Sequence, residues 1–133
     1  MSVQFSDAVR NAMNDAWETT VGTAPTLRIR TGAQPANCAA ARSGTVLATM
    51  VLPSDWMADA SGGSKAKSGT WQDASGDAAG TAAHYEIMQG ATCHEQGSVT
   101  ITGGGGDMTL DNTSIAVGQA VTITSFTRGM GNA

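Results

Sequence analysis

The amino-acid sequence predicts a mainly β protein, an antiparallel and jelly-roll-like β-sandwich that follows one N-terminal α-helix. Three observations predict this fold class. Helical spacing of apolar residues is confined to the start of the chain, before Val21. From Pro25 onward, apolar and polar residues alternate as they do in half-buried strands. About six to eight short β-branched segments, separated by Gly, Asn and Asp, are typical of an antiparallel sandwich or barrel.

The N-terminal helix is expected over residues 6–20. Ser6 can cap its first turn, and Asp7 places a negative charge where the helix dipole favours one. Apolar residues then recur at helical spacing, at Val9, Met13, Ala16 and Trp17. Pro25 forbids a longer helix, because a proline ring does not fit a helix interior.

Five strands are predicted, at residues 27–30, 46–52, 85–88, 99–102 and 121–127. The stretch 46–52 carries apolar groups on both faces, so we expect a central strand there. A weaker pattern predicts one or two short strands over 66–72, and a clearer segment predicts another strand over 108–110. The glycine run 103–106 is expected to form a hairpin turn. The side chains expected in the core are Leu27, Ile29, Leu47, Val51, Tyr85, Ile87, Val99, Ile101, Val121 and Ile123.

The chain of 133 residues is long enough for one domain but too short for two. We divide it into an N-terminal helical segment, 1–24, and a β-sandwich, 25–133, which together form one structural domain. With 17 Gly, 5% aromatic and 14% charged residues, the chain has few large apolar groups to bury. Such a core is marginally stable alone, and burial against another copy or another protein would offset the deficit.

The charge of the chain argues against direct binding of nucleic acid. Its net charge is −4 and its seven basic residues are scattered, whereas phosphate binding needs clustered Lys and Arg. No charged and then apolar leader follows Met1, and the longest apolar stretch is far shorter than the roughly 20 residues that span a bilayer. We therefore expect no nucleic-acid partner, no membrane partner and synthesis in the cytoplasm.

No catalytic, cofactor-binding or metal-binding motif is predicted. The run 103–106 lacks the Lys-Ser or Lys-Thr that completes a phosphate loop. The Ser-x-x-Lys pattern of penicillin-recognising enzymes occurs at 64–67, but the partner motifs of those enzymes are missing. The soft metal ligands do not show the spacing of a structural zinc site; they are Cys38, His84, Cys93 and His94. We therefore expect a protein that is not an enzyme and uses no cofactor.

Cys38 and Cys93 are the two cysteines of the chain and allow one disulfide at most. Synthesis in a reducing cytoplasm favours two free, partly buried thiols. A bridge would close a long loop and, with suitable geometry, would stabilise the protein by roughly 3 to 5 kcal/mol. From the sequence, both states of the pair stay open.

Short segments along nearly the whole chain resemble a family of small proteins encoded in the structural modules of tailed phages and prophages. These segments are Arg10-Asn11-Ala12-Met13, Glu18-Thr19-Thr20, Pro25-Thr26-Leu27-Arg28-Ile29, Gly69-Thr70-Trp71, Gly80-Thr81-Ala82, Ser114-Ile115 and Gly118-Gln119-Ala120-Val121. The resemblance implies a virion component, with capsid cement or decoration proteins as the architectural analogue. Such a protein is made in the host bacterial cytoplasm, forms dimers or trimers, and clamps the phage major capsid protein on the capsid exterior.

The N-terminal segment is the candidate contact surface. Phe5, Val9, Met13 and Trp17 place more apolar area on one stretch than a peripheral cap requires. We expect this row to contact a second copy of the chain or the capsid shell. The alternative is that the row closes the open end of the protein's own sandwich.

Two other functions compete with capsid decoration. A tail or head-fibre component of the virion usually shows repeats, which this sequence lacks. A carbohydrate-binding β-sandwich would use Trp56, Trp71 and Tyr85 as a stacking platform. Exposed and coplanar rings would favour sugar binding, whereas buried rings would favour a structural protein.

Overall fold

The computed structural model describes residues 3–130 and has a mainly β fold with one α-helix. Within that range, helix α1 spans Asp7–Val21 and eleven strands follow it. The strands are β1 Thr26–Arg30, β2 Val46–Val51, β3 Ser64–Ala66, β4 Trp71–Asp73, β5 Gly80–Thr81, β6 His84–Gln89, β7 Thr92–Ile101, β8 Met108–Leu110, β9 Ser114–Ile115, β10 Val121–Ile123 and β11 Thr127–Gly129. The helix and the strands predicted at 27–30, 46–52, 85–88 and 108–110 are confirmed.

The helix begins and ends at its capping residues. Ser6 Oγ accepts a hydrogen bond from the Val9 amide at 3.3 Å, and Asp7 lies in the first turn. Gly22 follows the helix with φ at +94°, in the region that favours glycine. Its amide donates to the Glu18 carbonyl at 3.0 Å. The helix therefore ends at Val21, one residue beyond the predicted end.

Five strands form one sheet in the order β2-β1-β6-β7-β8. Neighbouring strands from β2 to β7 are antiparallel. Strands β7 and β8 run parallel, with Val99 opposite Met108, so the expected wholly antiparallel arrangement is wrong at β8. After β7 the chain returns through residues 102–107, so that β8 starts beside Val99 and runs in the same direction as β7.

The glycine run 103–106 forms this return instead of the expected hairpin turn. The Gly106 amide donates to Thr100 Oγ1 at 2.9 Å, so the loop folds back against β7. A Cβ atom at Gly104 or Gly106 would lie 2.8 Å from that hydroxyl oxygen, closer than side chains tolerate. Glycine is needed because the returning chain lies directly on the strand.

Strand β2 lies at an edge of the sheet, so the expectation of a central strand is wrong. Its outer side is covered by the segment that contains β4. The Thr49 amide donates to Asp73 Oδ2 at 2.9 Å, and the Asp77 amide donates to the Leu47 carbonyl at 2.8 Å. Such covering protects an edge strand from pairing with another chain.

The predicted core residues are buried except Val51 and Ile101, which are 70% and 55% exposed. A β-bulge at Leu47 reverses the alternation in β2, so that Met50 faces the core and Val51 faces solvent. Ile101 is the last residue of β7, at the glycine return, and its side chain is exposed there although Leu110, opposite it on β8, is buried. Both errors arise from strand geometry rather than from hydrophobicity.

Three antiparallel two-stranded ribbons complete the fold of residues 3–130: β4 with β10, β3 with β11 and β5 with β9. The predicted strand 121–127 is thus divided between β10 and β11. Aromatic rings connect the ribbons within one core. The Trp71 ring centroid lies 5.9 Å from that of Trp56 and 5.4 Å from that of Phe126.

Candidate interaction surface

The predicted contact row divides into an exposed part and a packed part. Phe5 is 37% exposed and Val9 is 44% exposed, whereas Met13 and Trp17 are half-buried. Phe5 precedes the helix; along the helix, residues four apart lie about 40° further round at each step, so the row winds from Val9 at solvent to Trp17 at the body. Val3, which is 67% exposed, precedes the exposed part. We call Val3, Phe5 and Val9 the N-terminal apolar patch.

Trp17 packs against the protein's own core. Its ring meets the Trp56 ring edge-on, with centroids 5.0 Å apart and planes at 65°. The Arg128 guanidinium lies 5.7 Å from the centroid of the Trp17 ring. Trp17 therefore fits the alternative in which the row closes the protein's own body. Phe5 and Val9 are the members of the row that leave apolar area exposed to solvent.

Polar residues fasten the inner side of the helix. Asn14 is fully buried, and its Nδ2 donates to the Gly63 carbonyl at 2.9 Å. The Gly63 amide donates to Asn11 Oδ1 at 2.8 Å, and Arg10 Nε donates to the Met130 carbonyl at 3.0 Å. Sequence reasoning missed this polar face, although the helical spacing of Arg10 and Asn14 is a signal for it.

Lys65 forms an ion-pair cluster with the C-terminal half of the helix. Its side chain is 3% exposed, and its ammonium lies 2.7 Å from Asp15 and 2.8 Å from Glu18. Burial lowers the pKa of Lys65, but the hydrogen bonds and charges of the two carboxylates outweigh burial and raise it above its ordinary value. Lys65, inside the Ser-x-x-Lys stretch at 64–67, therefore has a structural role, and Lys67, the lysine of that pattern, donates to the Gly69 carbonyl at 2.7 Å.

A segment that we call the strap, residues 32–45, contacts the polar face of the sheet. Arg42, itself in the strap, holds the strap in shape by donating to the backbone carbonyls of Cys38 at 3.1 Å and Ala40 at 2.9 Å. Its guanidinium also lies 3.5 Å from Oε2 of Glu86, which is fully buried. Arg30 pairs with the other oxygen of Glu86. The buried carboxylate is thus held between a guanidinium of the sheet and one of the strap.

Gln96 on β7 fastens the strap a second time. Its Oε1 accepts from Arg42 at 3.0 Å, and its Nε2 donates to the Pro35 carbonyl at 2.7 Å. The Cys38 and Cys93 side chains, which are free thiols, also meet here with their sulfur atoms 2.6 Å apart. The fold therefore brings together two cysteines that the sequence could only identify as a possible pair.

The three rings considered for sugar stacking, Trp56, Trp71 and Tyr85, are all fully buried. Of the two arrangements that the sequence left open, the rings show the buried one, which favours a structural role for them over a sugar-stacking platform. The Tyr85 hydroxyl donates to Glu95 Oε2 at 2.6 Å and accepts from Arg128 Nη2 at 3.0 Å. Burial, followed by the charge of Glu95, raises the pKa of Tyr85 above its ordinary value, so the tyrosine keeps its proton.

The soft metal ligands noted in the sequence do not meet as one set. Cys38 and Cys93 lie together, whereas the buried His84 has its Nδ1 2.8 Å from the Gly32 carbonyl. His94 is half-buried within β7. Within residues 3–130, no group of three or more His, Cys, Asp or Glu side chains could hold a metal ion.

In the part of the chain that the structure describes, no helix has the length and apolar character needed to cross a membrane. Comparison of the chain with protein-family models, with curated proteins and with solved structures finds no significant match. Function is therefore inferred from the residues and contacts described above.

Proposed function

We propose that the protein is a non-enzymatic structural component of a tailed-phage virion, a capsid cement or decoration protein. The observation that carries the proposal is the N-terminal apolar patch, which lies at the start of a helix already fastened to the body. The resemblance to small virion proteins supports the same function. In this proposal the protein is made in the host bacterial cytoplasm and binds the capsid exterior. A tail or head-fibre component is the alternative virion function.

A second copy of the chain is the first partner that we propose for the patch. Burial of apolar surface contributes roughly 25 cal/mol per Å², so a contact between copies would add stability that a thin core lacks. The polar contacts of Asn11 and Asn14 hold the helix in place before association. A preorganised surface loses less conformational entropy on binding. The resulting dimer or trimer would clamp the major capsid protein.

The jelly-roll-like sandwich is the fold that we propose for the assembled protein. The five-stranded sheet supplies Leu27 and Ile29 to the core, and the β4–β10 ribbon supplies Trp71 and Ile123. A sheet and a ribbon that contribute side chains to one core cluster support such a sandwich. An experimental structure of the oligomer tests it: ribbons joined into a second sheet would agree, and ribbons that stay separate would contradict it.

The use of the patch is tested by replacing Phe5 and Val9 together with glutamine, which removes apolar surface but keeps helix-forming ability. Val117→Gln is the matched control, because Val117 is an exposed valine outside the helix, at 70% exposure. In sedimentation velocity, the unchanged protein and the control should form dimers or trimers. The double variant should associate at least about ten-fold more weakly, which corresponds to a loss of about 1.4 kcal/mol. A monomeric unchanged protein, or unaltered association of the double variant, would contradict the proposal.

Point variants test the patch better than deletion of residues 1–20. Deletion would also remove Trp17 from the Trp56 ring and would separate Lys65 from Asp15 and Glu18. Loss of association would then follow from damage to the core. Phe5 and Val9 are exposed, so their replacement leaves those contacts in place.

A further inference from the structure

Two independent features of the fold bring Cys38 and Cys93 together. A β-bulge at His94 places Cys93 opposite Met88 and leaves Gln96 opposite Glu86. Because residues opposite each other in a sheet share a face, the bulge turns Cys93 toward the polar face that the strap covers.

Arg42 holds the other cysteine of the pair. Its guanidinium donates to the Cys38 carbonyl at 3.1 Å and reaches Cys93 Sγ at 3.5 Å. Sγ of Cys93 lies 2.6 Å from Sγ of Cys38, across 55 residues of sequence. The meeting of the sulfurs thus follows from the strap as well as from the strand.

We propose that Cys38 and Cys93 form an intramolecular disulfide when the protein meets a small-molecule disulfide oxidant such as oxidised glutathione, and that this bond staples the strap to the sheet. The bond would form whether or not the protein decorates a capsid. A groove of about 540 Å³ gives the oxidant access, and it is lined by Cys38, Ala40, Arg42, Met88, Ala91 and Cys93.

The reaction is two thiol–disulfide exchanges. The Cys38 thiol loses its proton, and its sulfur attacks one sulfur of oxidised glutathione, which releases one glutathione and forms a mixed disulfide. The Cys93 sulfur, losing its proton, then attacks Cys38 Sγ and releases the second glutathione. Two protein thiols are oxidised, and one glutathione disulfide is reduced to two thiols. Burial, followed by the hydrogen bond with Cys38, raises the pKa of Cys93 to about 12, which agrees with Cys93 as the second attacker.

The test treats the full-length protein at neutral pH with oxidised glutathione and, in parallel, with a phosphine reductant. Intact mass spectrometry should show the loss of two hydrogen atoms on oxidation, without retained glutathione. The unfolding temperature should rise by roughly 10 °C, because a long loop is closed in the unfolded chain. Amide hydrogen exchange within residues 32–45 should slow in the oxidised protein.

Cys93→Ser is the matched variant, because it keeps Cys38 but cannot complete the second exchange. It should retain one glutathione at Cys38 and should show no rise in unfolding temperature. The chain has no other cysteine, so an intramolecular bond can join only this pair. Retained glutathione on the unchanged protein, disulfide-linked dimers, or a disulfide that leaves both the unfolding temperature and strap exchange unaltered would overturn the proposal.

Discussion

Replacement of Arg42 by methionine should destabilise the protein although Arg42 lies in a loop. The substitution keeps an unbranched side chain but removes every hydrogen bond from the guanidinium to the strap. It also removes the positive charge 3.5 Å from Oε2 of Glu86, a side chain with no exposed surface. The buried carboxylate then keeps Arg30 as its ion-pair partner within residues 3–130.

The expected magnitude follows from the burial of this ion pair. Removing one partner of a buried pair costs about 3 to 5 kcal/mol. Arg30 remains on the other oxygen, and water replaces the bonds to the strap carbonyls, so we expect the free energy of unfolding to fall by about 2 to 3 kcal/mol. For a chain of this length, that loss lowers the unfolding temperature by roughly 8 to 12 °C.

Urea unfolding in the presence of a reductant measures this loss without a contribution from a disulfide. Arg28→Met is the matched control, because Arg28 lies on the same face, opposite Glu86, and forms no ion pair within residues 3–130. The control should change the free energy of unfolding by less than about 0.5 kcal/mol. Equal effects of the two substitutions would refute the assignment of Arg42 as the residue that joins strap to sheet.

Two further predictions concern the core and the thiols. Ile123→Ala should lower the free energy of unfolding by about 2 to 4 kcal/mol in urea titrations, because Ile123 is 1% exposed, whereas Ile101→Ala, at a 55% exposed position, should cost less than about 1 kcal/mol. Equal costs would contradict the difference in burial between Ile123 and Ile101. The pKa of Cys93 is raised to about 12 from 9.0, so above pH 9 the folded protein keeps a proton that the unfolded chain loses. The reduced protein should therefore lose stability as the pH rises from 9 to 12, and an equal loss in Cys93→Ser would contradict this cause.

Local rules predicted most of the secondary structure. The Ser6 cap and the break before Pro25 bounded the helix, and strict alternation identified β1 and β6. These signals act between residues close in sequence, so they can be recognised without the fold. The same is true of the buried side chains at Leu27 and Tyr85.

Strand partners and bulges could not be predicted in this way. The bulge at Leu47 depends on the pairing of β2 with β1, and it alone reverses the side on which Val51 lies. The bulge at His94 likewise depends on the pairing of β7 with β6 and turns Cys93 toward the strap. The alternation of apolar and polar residues within one strand does not show where that strand carries an extra residue relative to the strand beside it.

The sequence predicted the row of apolar residues on the N-terminal segment, but it did not predict which members of the row are exposed and which are packed. Helical spacing groups Phe5, Val9 and Trp17, yet which of them faces solvent depends on how the helix docks. The buried polar contacts of Asn14 and Lys65 hold the helix against the β strands. In each of these contacts the two residues are far apart in the sequence. The hydrophobic pattern alone therefore could not separate Trp17 from the exposed patch.

Cryo-electron microscopy of phage heads assembled with and without this protein tests capsid decoration most directly. In the proposed function, the heads are those of the phage or prophage that would carry the protein. We expect density for a dimer or trimer on the outer capsid surface, absent from heads that lack the protein and depleted when Phe5 and Val9 are replaced by glutamine. Identical heads in both preparations, or density confined to the tail or a fibre, would contradict it.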